Sequence, residues 1–165
     1  MAHATPAIDV ALRYLAQRPR SEQEVRRRLE RAGVGQEAVD GVLVQLRQHG
    51  LVDDAAFAQY WLEQRQTFRP RGARLLRAEL RQHGIATDLV TAAAGELASS
   101  ADEDAYRAAH KRAYHLSTAD ERTFKSRLGQ FLARRGFDWE AASTAVERLY
   151  REVSTSSGSA PAPTA

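Results

Sequence analysis

Apolar residues recur along this chain at the three- and four-residue spacing of amphipathic helices, and one stretch of the pattern occurs three times. LERAGVGQEA runs from Leu29 to Ala38, LRQHGIATDL from Leu80 to Leu89, and LARRGFDWEA from Leu132 to Ala141. Each opens on leucine, with glycine fifth, an apolar residue sixth, an acidic residue ninth and another apolar residue tenth. A leucine closing an apolar stripe, then Gly33, Gly84 or Gly136, predicts a helix that stops by placing glycine in the left-handed region. Val34, Ile85 and Phe137 then fold back onto the last turn. Glu37, Asp88 and Glu140 fall in the first turn of a following helix, where unpaired N–H groups and the dipole favour a carboxylate. The motif is a helix, turn, helix joint.

The likeness continues downstream. Val39, Val42 and Leu46 correspond to Val90, Ala93 and Leu97, and to Ala142, Ala145 and Leu149, a stripe at i, i+3 and i+7. The leading leucines stand 51 and then 52 residues apart. A period near fifty marks tandem copies of one supersecondary unit, each too small to bury a full core alone. The expected fold is all-α, an elongated array of three tandem three-helix repeats. Its predicted parts are a flexible N-terminus over 1–7, repeats over 8–50, 51–99 and 100–153, and a disordered tail over 154–165, where STSSGSAPAPTA is small, polar and proline-bearing.

Within repeat one, helices are expected over about 8–17, 22–32 and 36–49. Proline in Arg18-Pro19-Arg20 breaks the first, and Ser21 with Glu24 forms a capping-box pattern at the start of the second. Repeat two opens with a helix capped by Asp53 or Asp54 and carrying Phe57, Trp61, Leu62 and Phe68. The break at Arg69-Pro70-Arg71-Gly72 echoes the first, and helices follow over about 73–83 and 87–98. In repeat three, Ser117-Thr118-Ala119-Asp120 replaces the proline turn, and helices cover about 121–135 and 139–153. Ala141, Ala142 and Ala145 line the last helix, where larger apolar residues would bury more surface.

Composition narrows the class. Cysteine is absent, which excludes disulfides and thiolate metal sites and fits a reducing cytoplasm. No apolar run is long enough to cross a membrane, and no basic-then-apolar leader opens the chain, so a soluble, cytoplasmic protein is expected. The net charge is +3, and all 24 basic residues except Lys111 and Lys125 are arginine. Arginine engages phosphate and carboxylate bidentately. Charge is nonetheless nearly balanced within each repeat.

Enzymatic chemistry finds no convergent group. The five histidines (3, 49, 83, 110 and 115) show no His-x-x-x-His spacing, and His49 and His83, each just before a glycine, suit the last turn of a helix. Helix capping accounts for the Asp53-Asp54 pair without a metal. Neither phosphate-binding glycine motif occurs, so no cofactor is expected. Basic clusters remain. Arg26, Arg27, Arg28 and Arg31 lie on the middle helix of repeat one, Arg69, Arg71, Arg74, Arg77 and Arg81 around that of repeat two, and Lys125, Arg127, Arg134 and Arg135 on that of repeat three. Of these, Arg26, Arg27, Arg31, Arg69, Arg71, Arg74, Arg77, Lys125, Arg134 and Arg135 are the candidate contact residues for a partner or DNA. An array can present such residues repeatedly along one face.

ALRYLAQRPRSEQEVRRRLERAGV, LRQHGLVDDAAFAQYWLEQR, RPRGARLLRAELRQHGI and LARRGF, in this order, resemble the RecX family of bacterial regulatory proteins over about residues 8–153. The resemblance implies three tandem three-helix repeats. It also implies a protein with no catalytic residues that binds the RecA filament on single-stranded DNA, and a monomer is expected. There it would limit ATP hydrolysis, strand exchange and co-protease activity, and so act in homologous recombination, DNA repair and the SOS response. Some DNA affinity of its own is implied as well. The competing expectation is a helical repeat protein that binds nucleic acid through its joints without RecA.

Overall fold

The computed structural model describes residues 6–157. Among them are nine α-helices and no strand. They are α1 (Ala7–Leu15), α2 (Glu22–Arg31), α3 (Gln36–Gln48), α4 (Asp54–Phe68), α5 (Ala73–Gln82), α6 (Thr87–Glu96), α7 (Ala101–His115), α8 (Glu121–Arg134) and α9 (Trp139–Ser157). A 3-10 turn over Leu97–Ser100 follows α6. The fold is all-helical, as the periodicity predicts.

The three joints close as their glycines require. Gly33, Gly84 and Gly136 have φ of 80°, 81° and 85°. In each, the N–H two residues past the helix cap returns to the leading leucine: Val34 to Leu29 O at 3.2 Å, Ile85 to Leu80 O at 3.1 Å, and Phe137 to Leu132 O at 3.2 Å. The glycine N–H bonds one residue further on, to Glu30, Arg81 and Ala133. This pair of bonds satisfies two orphan carbonyls per helix end. The leucines themselves are fully buried, each worth about 1.5–3 kcal/mol of apolar transfer.

Packing divides the chain into two compact units that cut across the repeats. Unit 1 comprises the chain up to Glu63 together with Ala78–Ala93, and unit 2 comprises Gln64–Arg77 and the chain from Ala94. Helices α4, α5 and α6 therefore contribute to both, as expected where a three-helix unit cannot bury its own core.

In unit 1, Ala11, Val25, Leu29, Val39, Val42, Leu43, Leu46 and Val52 form one core. The capping box predicted at Ser21 is present. Ser21 also makes a long-range contact, since it is fully buried and its Oγ donates to His83 O at 2.6 Å. Of the two candidate caps of α4, it is Asp53 whose Oδ1 accepts the N–H groups of Ala55 and Ala56, at 2.9 and 3.0 Å. Asp54 instead accepts the N–H of Glu22 at 2.8 Å, in the first turn of α2.

In unit 2, the alanines of α9 join the core. Ala141, Ala142 and Ala145 are buried, and so are Ala105, Ala109 and Ala113 of α7 in the same cluster. Small side chains in one core let helix backbones approach closely, so volume is matched by distance rather than by side-chain size. Helix α9 also continues through 154–157, where Thr155 and Ser156 hydroxyls return to the carbonyls of Arg151 and Glu152. The remaining tail residues, and residues 1–5, lie outside the described residues.

Candidate functional site: the arginine surfaces

Unit 1 carries three of the candidates, all on α2. Arg27 and Arg31 are exposed, opposite the buried Val25 and Leu29. Arg26 is half-buried and reaches Asp40 Oδ1 of α3 at 2.6 Å, so it serves the fold as well. An exposed pair of this kind adds at most about 1 kcal/mol.

The histidines of unit 1 take structural places. His83 packs edge-on to Trp61, with ring centroids 4.2 Å apart, and its Nδ1 stands 3.6 Å from Glu24. Trp61 Nε1 donates to Glu79 at 2.8 Å. His49 Nδ1 lies 2.8 Å from Gln45 O within the last turn of α3. Among the described residues no three His, Cys, Asp or Glu side chains are arranged to hold a metal ion.

Unit 2 gathers the other candidates, and there the geometry is tighter. The loop between α4 and α5 is held by backbone bonds: Gly72 N–H donates to Arg135 O at 2.9 Å, and Arg135 Nη1 donates to Pro70 O at 3.3 Å. Arg74 Nη2 donates to Ala133 O at 2.8 Å. Gly72 is required at this crossing, because a Cβ there would stand 2.1 Å from Gly136 O. Arg135, in turn, lies over the Phe131 ring at 4.9 Å.

This crossing concentrates like charge. Burial pulls the Arg71 guanidinium below its ordinary pKa, and Arg65, Arg135 and Arg69 push in the same direction. Arg135 is lowered for the same reasons, burial first and Arg69 second. Arginine stays charged despite such shifts, so Arg71 lies within electrostatic reach of Arg65, Arg135 and Arg69, and Arg135 within reach of Arg69. Arg65 and Arg69 sit one helical turn apart, since Arg69 N–H donates to Arg65 O at 3.0 Å. Like charges at that spacing cost about 0.2–0.5 kcal/mol.

The structure thus brings Arg69, Arg71 and Arg135 together and adds Arg65. The repeat pattern sets Arg65 apart because it lies on α4 rather than on a middle helix. Arg77 is exposed and lines a small cavity with Arg71, and Arg134 is exposed at the end of α8. Lys125 is committed to Glu121 at 2.8 Å and Glu147 at 2.6 Å, and these two bonds raise its pKa. Phe68, grouped by sequence with Phe57, Trp61 and Leu62, is 74% exposed at the end of α4, beside Arg69, whereas Phe57 and Leu62 are buried.

These features define a helical repeat protein with cationic surfaces and, among the described residues, no metal-binding cluster. Models of the first, second and third three-helix domains of RecX match residues 7–46, 53–93 and 101–152. The regulatory protein RecX of Amycolatopsis mediterranei (strain U-32) is 35% identical over 152 residues, covering 92% of this chain and 87% of that protein. The regulatory protein RecX of Chlorobium phaeobacteroides (strain BS1) is 34% identical over 147 residues, covering 88% and 94%. The crystal structure of RecX from Lactobacillus salivarius shares the fold at a TM-score of 0.78 and 21% identity, over 88% of this chain and 96% of that one. A crystal structure of regulatory protein RecX gives a TM-score of 0.72 at 26% identity, over 86% and 71%. The chain belongs to the RecX family of regulatory proteins.

No helix among the described residues is long and apolar enough to cross a membrane.

Proposed function

We propose that this protein binds the filament RecA forms on single-stranded DNA and inhibits its ATPase, strand-exchange and co-protease activities. The observation that carries this reading is the succession of three RecX domains, in order, from residue 7 to residue 152. In this reading the protein is a cytoplasmic monomer acting by binding alone, with no cofactor and no reaction of its own. Its place is in homologous recombination and in the DNA-damage response.

The chemistry of the exposed arginines fits such a partner. Arg27 and Arg31 on α2, and Arg77 and Arg134 in unit 2, are exposed, and Arg74 is exposed with one Nη bonded to Ala133 O. A nucleoprotein filament offers carboxylates and phosphates at every repeat, and both accept the paired donors of arginine. Several weak contacts on one chain multiply into useful avidity.

The test is co-sedimentation with RecA assembled on single-stranded DNA. Arg27→Glu combined with Arg31→Glu touches no packed side chain and is expected to weaken pelleting by roughly tenfold, with helicity unchanged. Undiminished pelleting would remove the α2 face from the contact.

A further inference from the structure

Unit 2 also carries an apolar groove with no arginine in its lining. It runs between α8 and α9, holds about 600 Å³, and is walled by Gly129 and Ala133 of α8, Ala142 and Val146 of α9, and Phe137. Trp139, the first residue of α9, stands at its side with 85% of its surface exposed. Short side chains on both helices keep the groove open, and a Cβ at Gly129 would meet nothing within 4 Å. An indole left this far in water beside an apolar hollow is the arrangement of an interface anchor, because tryptophan contributes most once a partner covers it.

The charge around the groove selects its occupant. Glu147 and Asp138 line it together with Lys125, and Lys125 bonds to Glu147 at 2.6 Å and to Glu121 at 2.8 Å. Three carboxylates thus stand against one cation, and the surplus is negative. Phosphates are repelled by such a rim, whereas an apolar side chain with a cation next to it is attracted. Unit 2 itself presents that pair. Phe68 is 74% exposed at the end of α4, and Arg69, the next residue, is exposed as well. Phe68 and Trp139 are the two most exposed large apolar side chains among the described residues. Phe68 has no part in the groove lining, so protrusion and hollow are separate surfaces of one chain.

We propose that the groove between α8 and α9 receives a second copy of this chain, with Phe68 of that copy lying against Trp139 and its Arg69 meeting Glu121 and Glu147. An aromatic side chain buries about 150–250 Å², so the two rings, with an equal area from the surfaces they cover, bring about 600–1,000 Å² into the contact. That is below the roughly 1,200 Å² at which stable interfaces begin. The chain therefore stays monomeric when dilute and associates where copies are concentrated. The contact is heterologous, since groove and inserted residues differ. Two copies suffice for it, so it goes beyond the filament reading and stands or falls without RecA.

The experiment is sedimentation velocity of the full chain, without RecA, at low and high salt over about 5–500 µM, a range suited to so small an interface. The weight-average sedimentation coefficient is expected to rise with concentration. Trp139→Ala and Phe68→Ala, both at exposed positions, are each expected to weaken association by roughly tenfold. Arg69→Glu and Glu147→Lys should each weaken it by roughly fivefold at low salt and by less at high salt. A mixture of these two variants pairs opposite charges again and should associate more strongly than either does alone. Arg27→Glu with Arg31→Glu, in unit 1, should leave association as it was, and circular dichroism confirms the fold of every variant. The proposal is overturned by any of three results. These are a wild-type coefficient that does not rise, undiminished association in Trp139→Ala or Phe68→Ala, or a mixture of Arg69→Glu and Glu147→Lys that associates no better than its components.

Discussion

Replacing Gly72 with alanine should damage unit 2 far more than a single methyl group suggests. The added Cβ would stand 2.1 Å from Gly136 O and 2.2 Å from both Gly136 C and Phe137 N. Unbonded carbon contacts settle nearer about 3.5–4 Å. All three obstacles are backbone, so no side chain can rotate out of the way. The loop and the end of α8 would have to separate by roughly an ångström, stretching the 2.9 Å bond from Gly72 N–H to Arg135 O. Overpacking of this kind costs about 1–3 kcal/mol, and losing a buried hydrogen bond adds about 1 kcal/mol. The expected loss is therefore about 2–4 kcal/mol, a fall in melting midpoint of roughly 4–16 °C for a chain of this length.

Gly41→Ala supplies the control. Gly41 lies inside α3 with open space around its Cα, so alanine there should stabilise by about 0.5–1 kcal/mol. Denaturant unfolding followed by far-ultraviolet circular dichroism compares the two variants with wild type. A Gly72→Ala protein within about 0.5 kcal/mol of wild type, the scatter of neutral surface changes, would refute the close crossing.

Three further outcomes follow from the geometry. Ser21→Ala removes the cap of α2 and strands the His83 carbonyl, and should cost about 2 kcal/mol in the same unfolding assay. Ala109→Leu inserts methylenes into the alanine-lined core of unit 2 and should cost about 1–3 kcal/mol, whereas a slack core would gain stability. Burial raises the Asp54 carboxyl above 3.8, with Glu22, Asp53 and Glu24 adding repulsion against the opposing Glu22 N–H bond. The folded chain then holds this proton more tightly than the unfolded one, so the contribution is present at low pH and is lost as pH rises from 3.8 through the raised value. Asp54→Asn, which keeps an oxygen for the Glu22 N–H, should match wild type in acid and exceed it at neutral pH. An equal difference at both would contradict this.

What is readable in the sequence is local. The glycine joints depend on residues within six positions of one another, and the Ser21 cap on residues three apart, so spacing alone exposes them. Choosing between Asp53 and Asp54 as the α4 cap needs the α2 N-terminus, thirty-two residues away, which claims Asp54. The alanines of α9 look undersized until α7 is in place, because its own alanines join the same core. The cation cluster depends on Gly72 meeting Arg135 and on Arg135 reaching Pro70, both contacts between distant stretches of chain. Arg65 and Phe68 are visible as residues, but nothing in a helical repeat pattern marks the end of α4 as a place where charge and an exposed ring converge.

The single-stranded-DNA-dependent ATPase of RecA from the same organism, titrated with this protein at concentrations well below that of RecA, tests the proposed function most directly. A dose-dependent fall in ATP hydrolysis is expected, with saturation far below one molecule per RecA subunit if filament ends are the target and near stoichiometric saturation if the groove is coated. Undiminished hydrolysis at a molar excess of the folded protein would contradict filament inhibition.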